Sequence, residues 1–337
     1  MQFNALLTKI IANKNLSKKE ARFAFNLIMS GKSSDIEIAA FLVSLSTKGE
    51  SINEIIEAVK VLREKSIKIK STNNILDTCG TGGDGKETLN ISTATAILAA
   101  SSGIKVAKHG NKSVSSKCGS SDVLSSLGVN IIAEKAKVQK SLKKIDLCFL
   151  MAPLYHSAMK NVANVRATLK IKTIFNILGP LLNPANANRQ LIGVYSEKWM
   201  LPIAKCLVNL SIKKAWVVHG LDGLDEITTT NKTVVIEVKN KRMRKFLIDP
   251  IKLGFKKSSL NKLKGKDSIY NAKEIMKLFE GKSKDSPFYD IVVLNTAAAL
   301  VVSENQNSLK KAIKIAKRNL DSGLALKKLK ELIRESK

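Results

Sequence analysis

Up to about residue 68, apolar positions recur at the three- and four-residue spacing of amphipathic helices. Three of these stretches open with a serine followed three positions on by glutamate: Ser17 with Glu20, Ser34 with Glu37 and Ser51 with Glu54. A serine hydroxyl and a glutamate so spaced satisfy each other's free backbone N–H groups, so the pattern predicts a run of short capped helices.

From Asn74 the pattern changes to short apolar runs separated by glycine-rich or helical stretches. Ile75 to Asp77, Ile104 to Ala107, Leu147 to Met151, Leu191 to Tyr195, Trp216 to Val218, Val234 to Val238 and Ile291 to Leu294 read as strands, with helices between most of them. Such alternation predicts an α/β fold with a mostly parallel central sheet behind a small N-terminal helical domain. We place the small domain at residues 1–70, joined by helices from about 160–185, and the α/β domain at 71–337. The lysine-rich end from Ser308 keeps helical apolar spacing at Ile313, Ala316, Leu320, Leu326 and Leu329, and reads as a packed helix.

Composition narrows the picture. No apolar run approaches the roughly 20 residues needed to span a bilayer, and Met1 to Ile11 does not resemble a signal peptide, so a cytoplasmic protein is expected. Cys79, Cys118, Cys148 and Cys206 show no C-x-x-C spacing and read as reduced thiols without zinc. The formal charge of +29 invites a nucleic-acid reading. Only eight of the 57 basic residues are arginines and aromatics make up 5%, which favours solvated lysine faces over a built nucleic-acid site.

The candidate chemistry begins at Asp77-Thr78-Cys79-Gly80-Thr81-Gly82-Gly83-Asp84-Gly85, between a predicted strand and a helix. Glycines there let backbone N–H groups close around an anion. Gly80-x-Gly82-x-x-Gly85 matches a dinucleotide fingerprint in form, but no carboxylate occurs between Glu87 and Asp122 to hold a ribose. Glu87 also stands where a P-loop needs Ser or Thr, so an NTPase reading fails as well.

Thr88-Leu89-Asn90-Ile91-Ser92-Thr93 then crowds more hydroxyl and amide groups at a helix start than one cap requires, which points to phosphate or magnesium contact. Lys108-His109-Gly110-Asn111-Lys112-Ser113-Val114-Ser115-Ser116 brings cations and polar donors to a strand's carboxyl end. Asp222, Asp225 and Glu226 form an acidic trio against a basic background, suited to magnesium. A guanidinium fork at Arg166 matches a planar carboxylate, although a structural salt bridge would explain it nearly as well.

Taken in order, Gly80 to Asp84, Asn90 to Thr93, Lys108 to Asn111 and Asp225-Glu226 resemble the anthranilate phosphoribosyltransferase family. Ala152 to Lys160, Thr173 to Ala185 and His219 to Glu226 extend the resemblance over nearly the whole chain. It implies a homodimer with its active site between a helical and an α/β domain, and transfer of phosphoribose from phosphoribosyl pyrophosphate to anthranilate in tryptophan synthesis. It also implies that Gly80, Gly83, Asp84, Thr88, Asn90, Ile91, Ser92, Thr93, Lys108, His109, Gly110, Asn111, Lys112, Ser113, Val114, Ser115, Ser116 and Ser120 hold phosphoribosyl pyrophosphate. Gly80, Asn111 and Arg166 would meet anthranilate, with His109 and Pro180 shaping its pocket. Ser92, Asp225 and Glu226 would bind Mg2+, with two ions expected per subunit. No general base is implied.

Departures fall near Arg166. Asn164 stands where relatives often carry Pro, and Leu169-Lys170-Ile171-Lys172 replaces a Leu-Gly-Arg pattern. They bear on domain closure or acceptor affinity. Two rival readings share the fold: a pyrimidine nucleoside phosphorylase, and a nucleic-acid-binding branch suited to the charge. The intact phosphate and metal motifs favour the transferase over both.

Overall fold

The computed structural model describes residues 1–71, 74–112 and 118–337. Four helices open the chain: α1 (Phe3–Ile11), α2 (Lys18–Met29), α3 (Asp35–Lys48) and α4 (Ile52–Lys65). All three serine–glutamate pairs form reciprocal capping boxes at the starts of α2, α3 and α4. Each such cap contributes about 1 kcal/mol.

The remaining elements are β1 (Leu76–Thr78), α5 (Ile91–Ser101), β2 (Val106–Gly110), α6 (Ser120–Ser126), α7 (Lys135–Ile145), β3 (Leu147–Met151), α8 (Ala152–Tyr155), α9 (Lys160–Leu169) and α10 (Phe175–Leu178). They continue with β4 (Arg189–Gly193), α11 (Met200–Asn209), β5 (Lys214–Gly220), β6 (Thr233–Lys239), β7 (Arg242–Ile248), α12 (Ser268–Phe279), α13 (Pro287–Val302), α14 (Leu309–Asp321) and α15 (Leu324–Ser336). The sheet order is β3-β2-β1-β4-β5-β6-β7. β1 to β5 are parallel, and β6 and β7 extend the sheet antiparallel.

One apolar core lies under α5, α12, α13, α14 and α15. A second runs without a break from Phe3 in α1 through α9, α10 and α11 to the opposite face of the sheet. α9 packs on α2 and α3, while α4 packs on α10 and α11, so the opening helices share their core with later segments. Among the described residues, no helix is long and apolar enough to cross a membrane.

Four expectations change. Ile291 to Leu294 is helical, inside α13, where the Ser286 hydroxyl caps the helix and Pro287 occupies its first turn. Fourteen residues of α13 are buried on all sides, which erases the helical period from the sequence. β7 escaped notice because Arg242, Arg244 and Lys245 are exposed and charged, the composition that guards a sheet edge. The C-terminal stretch is two helices, broken at Gly323 with φ +74°.

The fourth change concerns the site. β2 extends to Gly110, so Lys108 and His109 are strand residues, each 3% exposed, and not part of a loop.

Candidate active site

The chain runs outward from β1 to β3, returns, and then builds β4 and β5 on the other side of β1. The carboxyl ends of neighbouring parallel strands β1 and β4 therefore part, opening the crevice where α/β sheets bind ligands. The glycine loop leaves β1 at this point. Gly193 ends β4 beside it, and its carbonyl accepts from the Thr81 N–H at 2.9 Å.

Asp225, in the loop after β5, closes over both. A Cβ added to Gly193 would lie 1.5 Å from the Asp225 carbonyl oxygen, and one at Gly80 would lie 2.6 Å from its Oδ2. The Gly82 N–H donates to Asp225 Oδ2 at 2.8 Å. Gly80 and Gly193 thus permit an approach that no side chain allows. Gly193 was missed from sequence, although a glycine within an apolar strand pattern signals close approach of another backbone.

Asp84 turns back on its own loop, with Oδ1 accepting from the Lys86 N–H at 3.0 Å and Oδ2 lying 3.5 Å from the Asp225 N. Asp84, Asp225 and Glu226 lie near enough for their charges to act on one another. Burial, and then the charge of Asp84, drives the Asp225 pKa upward; burial, and then Asp225, does the same for Glu226. Lys108 is the cation that opposes them on Glu226. Its ammonium already donates to the Thr78 carbonyl at 2.6 Å and to Ser92 Oγ at 3.2 Å. The Ser92 backbone also favours the ionised form of Glu226. Ser92, Asp225 and Glu226 thus bring oxygen donors near Lys108, and burial with mutual repulsion disfavours the ionised carboxylates. Such an oxygen-rich set fits a hard divalent cation. Asp222 is committed elsewhere: its carboxylate accepts from the Thr228 hydroxyl at 2.6 Å and from the Thr230 hydroxyl, ordering the loop.

The Asn90 side chain makes no capping bond at the start of α5. Its amide donates to the Cys118 carbonyl at 3.2 Å, and its oxygen accepts from Asn271 at 2.9 Å. Ile91 and Thr93 are buried, so only their main chain could face a ligand. Gly83, Thr88 and Lys112 lie partly or fully open along the loops. Ser120 begins α6 with its hydroxyl 3.4 Å from the Asn111 carbonyl, while Gly110 leaves room for Ser120 and Phe149. Ser113 to Ser116 lie outside the described residues.

Successive strand residues face opposite sides of a sheet, and β2 uses this. Lys108 points to the glycine loop, whereas His109 points away, with Nδ1 3.3 Å from the Gly179 carbonyl and its backbone N–H donating to Asp77. His109 packs edge-on against His156 at 5.2 Å. Burial pushes the His109 pKa down to about 3, so both its ring and that of His156, pushed down to about 4, are neutral at pH 7. Pro180 reaches the same region, its carbonyl accepting from Gln190 at 2.6 Å. His219 fixes β5 to the end of β4, with Nδ1 2.7 Å from the Val194 carbonyl.

Asp77, Cys79 and His109 bring potential ligand atoms within 4.8 Å of one another. The Asp77 oxygens are already taken by His109 N–H at 3.1 Å and Asn183 Nδ2 at 2.8 Å, so this group is a buried brace and not a metal site. Asn183 also donates to the Ala107 carbonyl, tying β1, β2 and the segment after α10 together.

Arg166 sits on α9 with its guanidinium 5.6 Å from the centre of the Phe175 ring. It makes no ion pair among the described residues, and burial lowers its pKa. The salt-bridge explanation for this arginine therefore finds no partner among the described residues. The departure at Asn164 has a local use: its amide donates to Asp35 at the start of α3. Lys172, unassigned from sequence, donates to the Gly83 carbonyl.

This two-domain fold matches two family models: the helical bundle domain of a glycosyl transferase family over residues 4–66, and its a/b domain over 72–326. The class is therefore that of a glycosyl transferase family built from a helical bundle domain and an α/β domain. The anthranilate phosphoribosyltransferase of Clostridium kluyveri is 47% identical over 331 residues, 98% of either chain. The Thermus thermophilus enzyme of the same name superposes with a TM-score of 0.92 at 36% identity, covering 98% of both chains. The Saccharomyces cerevisiae enzyme, in complex with PRPP and Mg, gives 0.91 at 29% identity over 99% of this chain and 97% of that one. The chain belongs to the anthranilate phosphoribosyltransferase family.

Proposed function

We infer that the protein transfers the 5-phosphoribosyl group of phosphoribosyl pyrophosphate to anthranilate, giving N-(5-phosphoribosyl)anthranilate and pyrophosphate, the second step of tryptophan synthesis from chorismate. The observation that carries this reading is the convergence of Ser92, Lys108, Asp84, Asp225 and Glu226 on the glycine loop at the sheet's switch point.

In this reading Gly80, Gly83, Thr88, Asn90 to Thr93, Lys108 to Ser116 and Ser120 surround phosphoribosyl pyrophosphate. Ser92, Asp225 and Glu226 hold Mg2+, with two ions per subunit. Asp84 repels a bare phosphate, so its place in the site is against a metal-bound one. Magnesium, when bound, supplies Lewis-acid stabilisation of the departing pyrophosphate.

Displacement at the anomeric carbon makes the sugar more positive and the leaving group more negative. Glycine-loop N–H groups and Lys108 stabilise the second charge with donors fixed before reaction begins. The amine of anthranilate is neutral at pH 7, so orientation matters more than a strong base. Arg166, unpaired and desolvated, orients the anthranilate carboxylate, with Gly80 and Asn111 nearby. His109 and Pro180 shape the wall. His109 is neutral and buried, so it serves as packing and no side chain is nominated as general base.

A homodimer is part of this reading; Ile11 at 72% and Ile36 at 82% exposure leave apolar surface on the small domain. A cytoplasmic location suits a biosynthetic enzyme of this kind.

Anthranilate fluorescence tests the reading directly. Its loss in the presence of phosphoribosyl pyrophosphate and magnesium, matched by pyrophosphate release and stopped by chelator, is the expected result. Folded protein without turnover would overturn it.

A further inference from the structure

A cleft of about 470 Å³ lies on the α/β domain between the segment before α12, α12 itself and the start of α13. Lys262, Lys264, Lys277, Lys282 and Lys284 line it, and Glu274 is its one carboxylate among the described residues. Glu274 is already paired with Lys277 at 2.7 Å. Lys282 and Lys284 lean on carboxylates outside the lining, Glu280 and Asp321, whereas Lys262 and Lys264 make no ion pair among the described residues.

The enrichment exceeds the chain's general basicity. Residues 256–284 hold nine lysines against three carboxylates, about twice the density of net positive charge expected from +29 over 337 residues. Three of the five ammonium groups are paired, so Lys262 and Lys264 leave the cleft net positive, and a concave surface focuses that field. Among the described residues no arginine lines the cleft, so it lacks the planar fork that selects carboxylates. Lysines acting as point charges suit a chain of phosphates.

The cleft also touches the site described above. Leu89 forms part of its lining and Thr88 pairs with Lys264 in an antiparallel bridge. The Leu89 N–H donates to the Leu263 carbonyl at 2.9 Å, and the Gly265 N–H donates to the Glu87 carbonyl at 2.8 Å. Asn271, on α12, holds Asn90 at 2.9 Å. An anion drawing Lys262 and Lys264 toward Lys282 would therefore fix the backbone that carries Glu87 to Asn90.

We propose that this cleft is a second binding site, for an oligophosphate, whose occupation orders the Glu87–Asn90 run. The consequence for catalysis rests on the reading of Thr88 and Asn90 as contacts to phosphoribosyl pyrophosphate; the binding itself does not.

The probe is inorganic triphosphate, titrated calorimetrically at 0.15 M salt with chelator, so that no magnesium complex can form. The cleft variant carries Lys262→Gln, Lys264→Gln and Lys282→Gln. A charge-matched control carries Lys18→Gln, Lys19→Gln and Lys32→Gln on the exposed surface of the small domain. All three proteins are checked for an unchanged thermal midpoint, and amide exchange is followed over residues 87–91. The expected result is saturable binding by wild type and control, weakened about tenfold or more in the cleft variant, with exchange over 87–91 slowed only where binding persists. Equal weakening in cleft and control variants would mean diffuse charge attraction and overturn the proposal. So would binding kept by the cleft variant, or binding that leaves exchange over 87–91 unchanged. Nucleoside triphosphate in place of inorganic triphosphate separates the sources: tighter binding means a base is read as well. Absence of transferase activity alongside normal triphosphate binding would refute the proposed reaction and leave this site standing.

Discussion

The ammonium of Lys172 donates to the Gly83 carbonyl at 2.7 Å while lying 3.8 Å from the centre of the Tyr195 ring. The Lys172 carbonyl in turn accepts from the Ser46 hydroxyl of α3 at 3.3 Å. The segment between α9 and α10 therefore links the helical domain to the glycine loop through one side chain. Lys172→Met keeps the stem and removes the charge. An exposed bond of this kind is worth about 1 kcal/mol, roughly fivefold in affinity. We expect KM for phosphoribosyl pyrophosphate to rise by about that factor with little change in the thermal midpoint. Unchanged KM in steady-state kinetics would show the link to be incidental.

Gly193 faces a harder limit, because a methyl there would overlap the Asp225 carbonyl at 1.5 Å. Gly193→Ala must push the loop after β5 away from the crevice. Forced overpacking costs about 1–3 kcal/mol, so the thermal midpoint should fall by several degrees and turnover should drop at least a hundredfold. A variant with wild-type kinetics would mean that the acidic loop need not hold this position.

Much of this was legible in the sequence because the groups involved are local. The capping boxes, the glycine loop and Asp225-Glu226 each lie within a few residues and announce their chemistry by residue type. What was hidden depends on distant partners. Lys108 and His109 read as donors in the loop just after a strand, yet pairing with β3 carries them into the sheet. Asn183 gives no sign of its role until the chain folds and sets it between Asp77 and Ala107. The Ile291–Leu294 run could not be assigned by period, since a helix buried on every side has no polar face to mark it.

The acidic cluster makes a separable prediction about metal. Glu226 is held near Asp225 and Asp84, and burial plus their charge disfavours its ionised form. Glu226→Gln removes part of that repulsion, so in chelator the variant should melt at or above the wild-type temperature. Magnesium should raise the wild-type midpoint by binding only the folded state, and leave the variant's unchanged. Transferase activity should be lost in the variant at any magnesium concentration. An equal magnesium shift in both proteins would remove Glu226 from the metal site.

Arg166 distinguishes shape from charge. Lysine at this position keeps a cation near Phe175 but loses the two-pronged geometry that matches a carboxylate. For Arg166→Lys, KM for anthranilate should rise about tenfold, the order of one lost charge-assisted bond, while KM for phosphoribosyl pyrophosphate stays within about twofold. A change confined to the second substrate would move Arg166 out of the acceptor pocket.

The pair of buried imidazoles sets a pH dependence of stability. Burial pushes His156 down to about 4, with the Lys68 charge adding to it, and pushes His109 down to about 3, with His156 adding to it. In the unfolded chain both would titrate near the ordinary value of about 6.5. Below that pH the unfolded state takes up protons that the folded state refuses, so stability is complete above about 6.5 and falls as the pH drops toward the folded values. Asp77 works in the opposite sense: burial raises its carboxyl to about 6, so the folded state holds its proton more tightly between about 4 and 6 and recovers some stability there. His156→Phe keeps a ring against His109 and deletes one of the two protonation sites. Between pH 6 and 5 the unfolding free energy of this variant should fall less steeply than that of wild type, by up to about 1.4 kcal/mol per pH unit. Parallel curves from denaturant melts across that range would show that His156 is protonated as readily in the folded protein as in the unfolded chain.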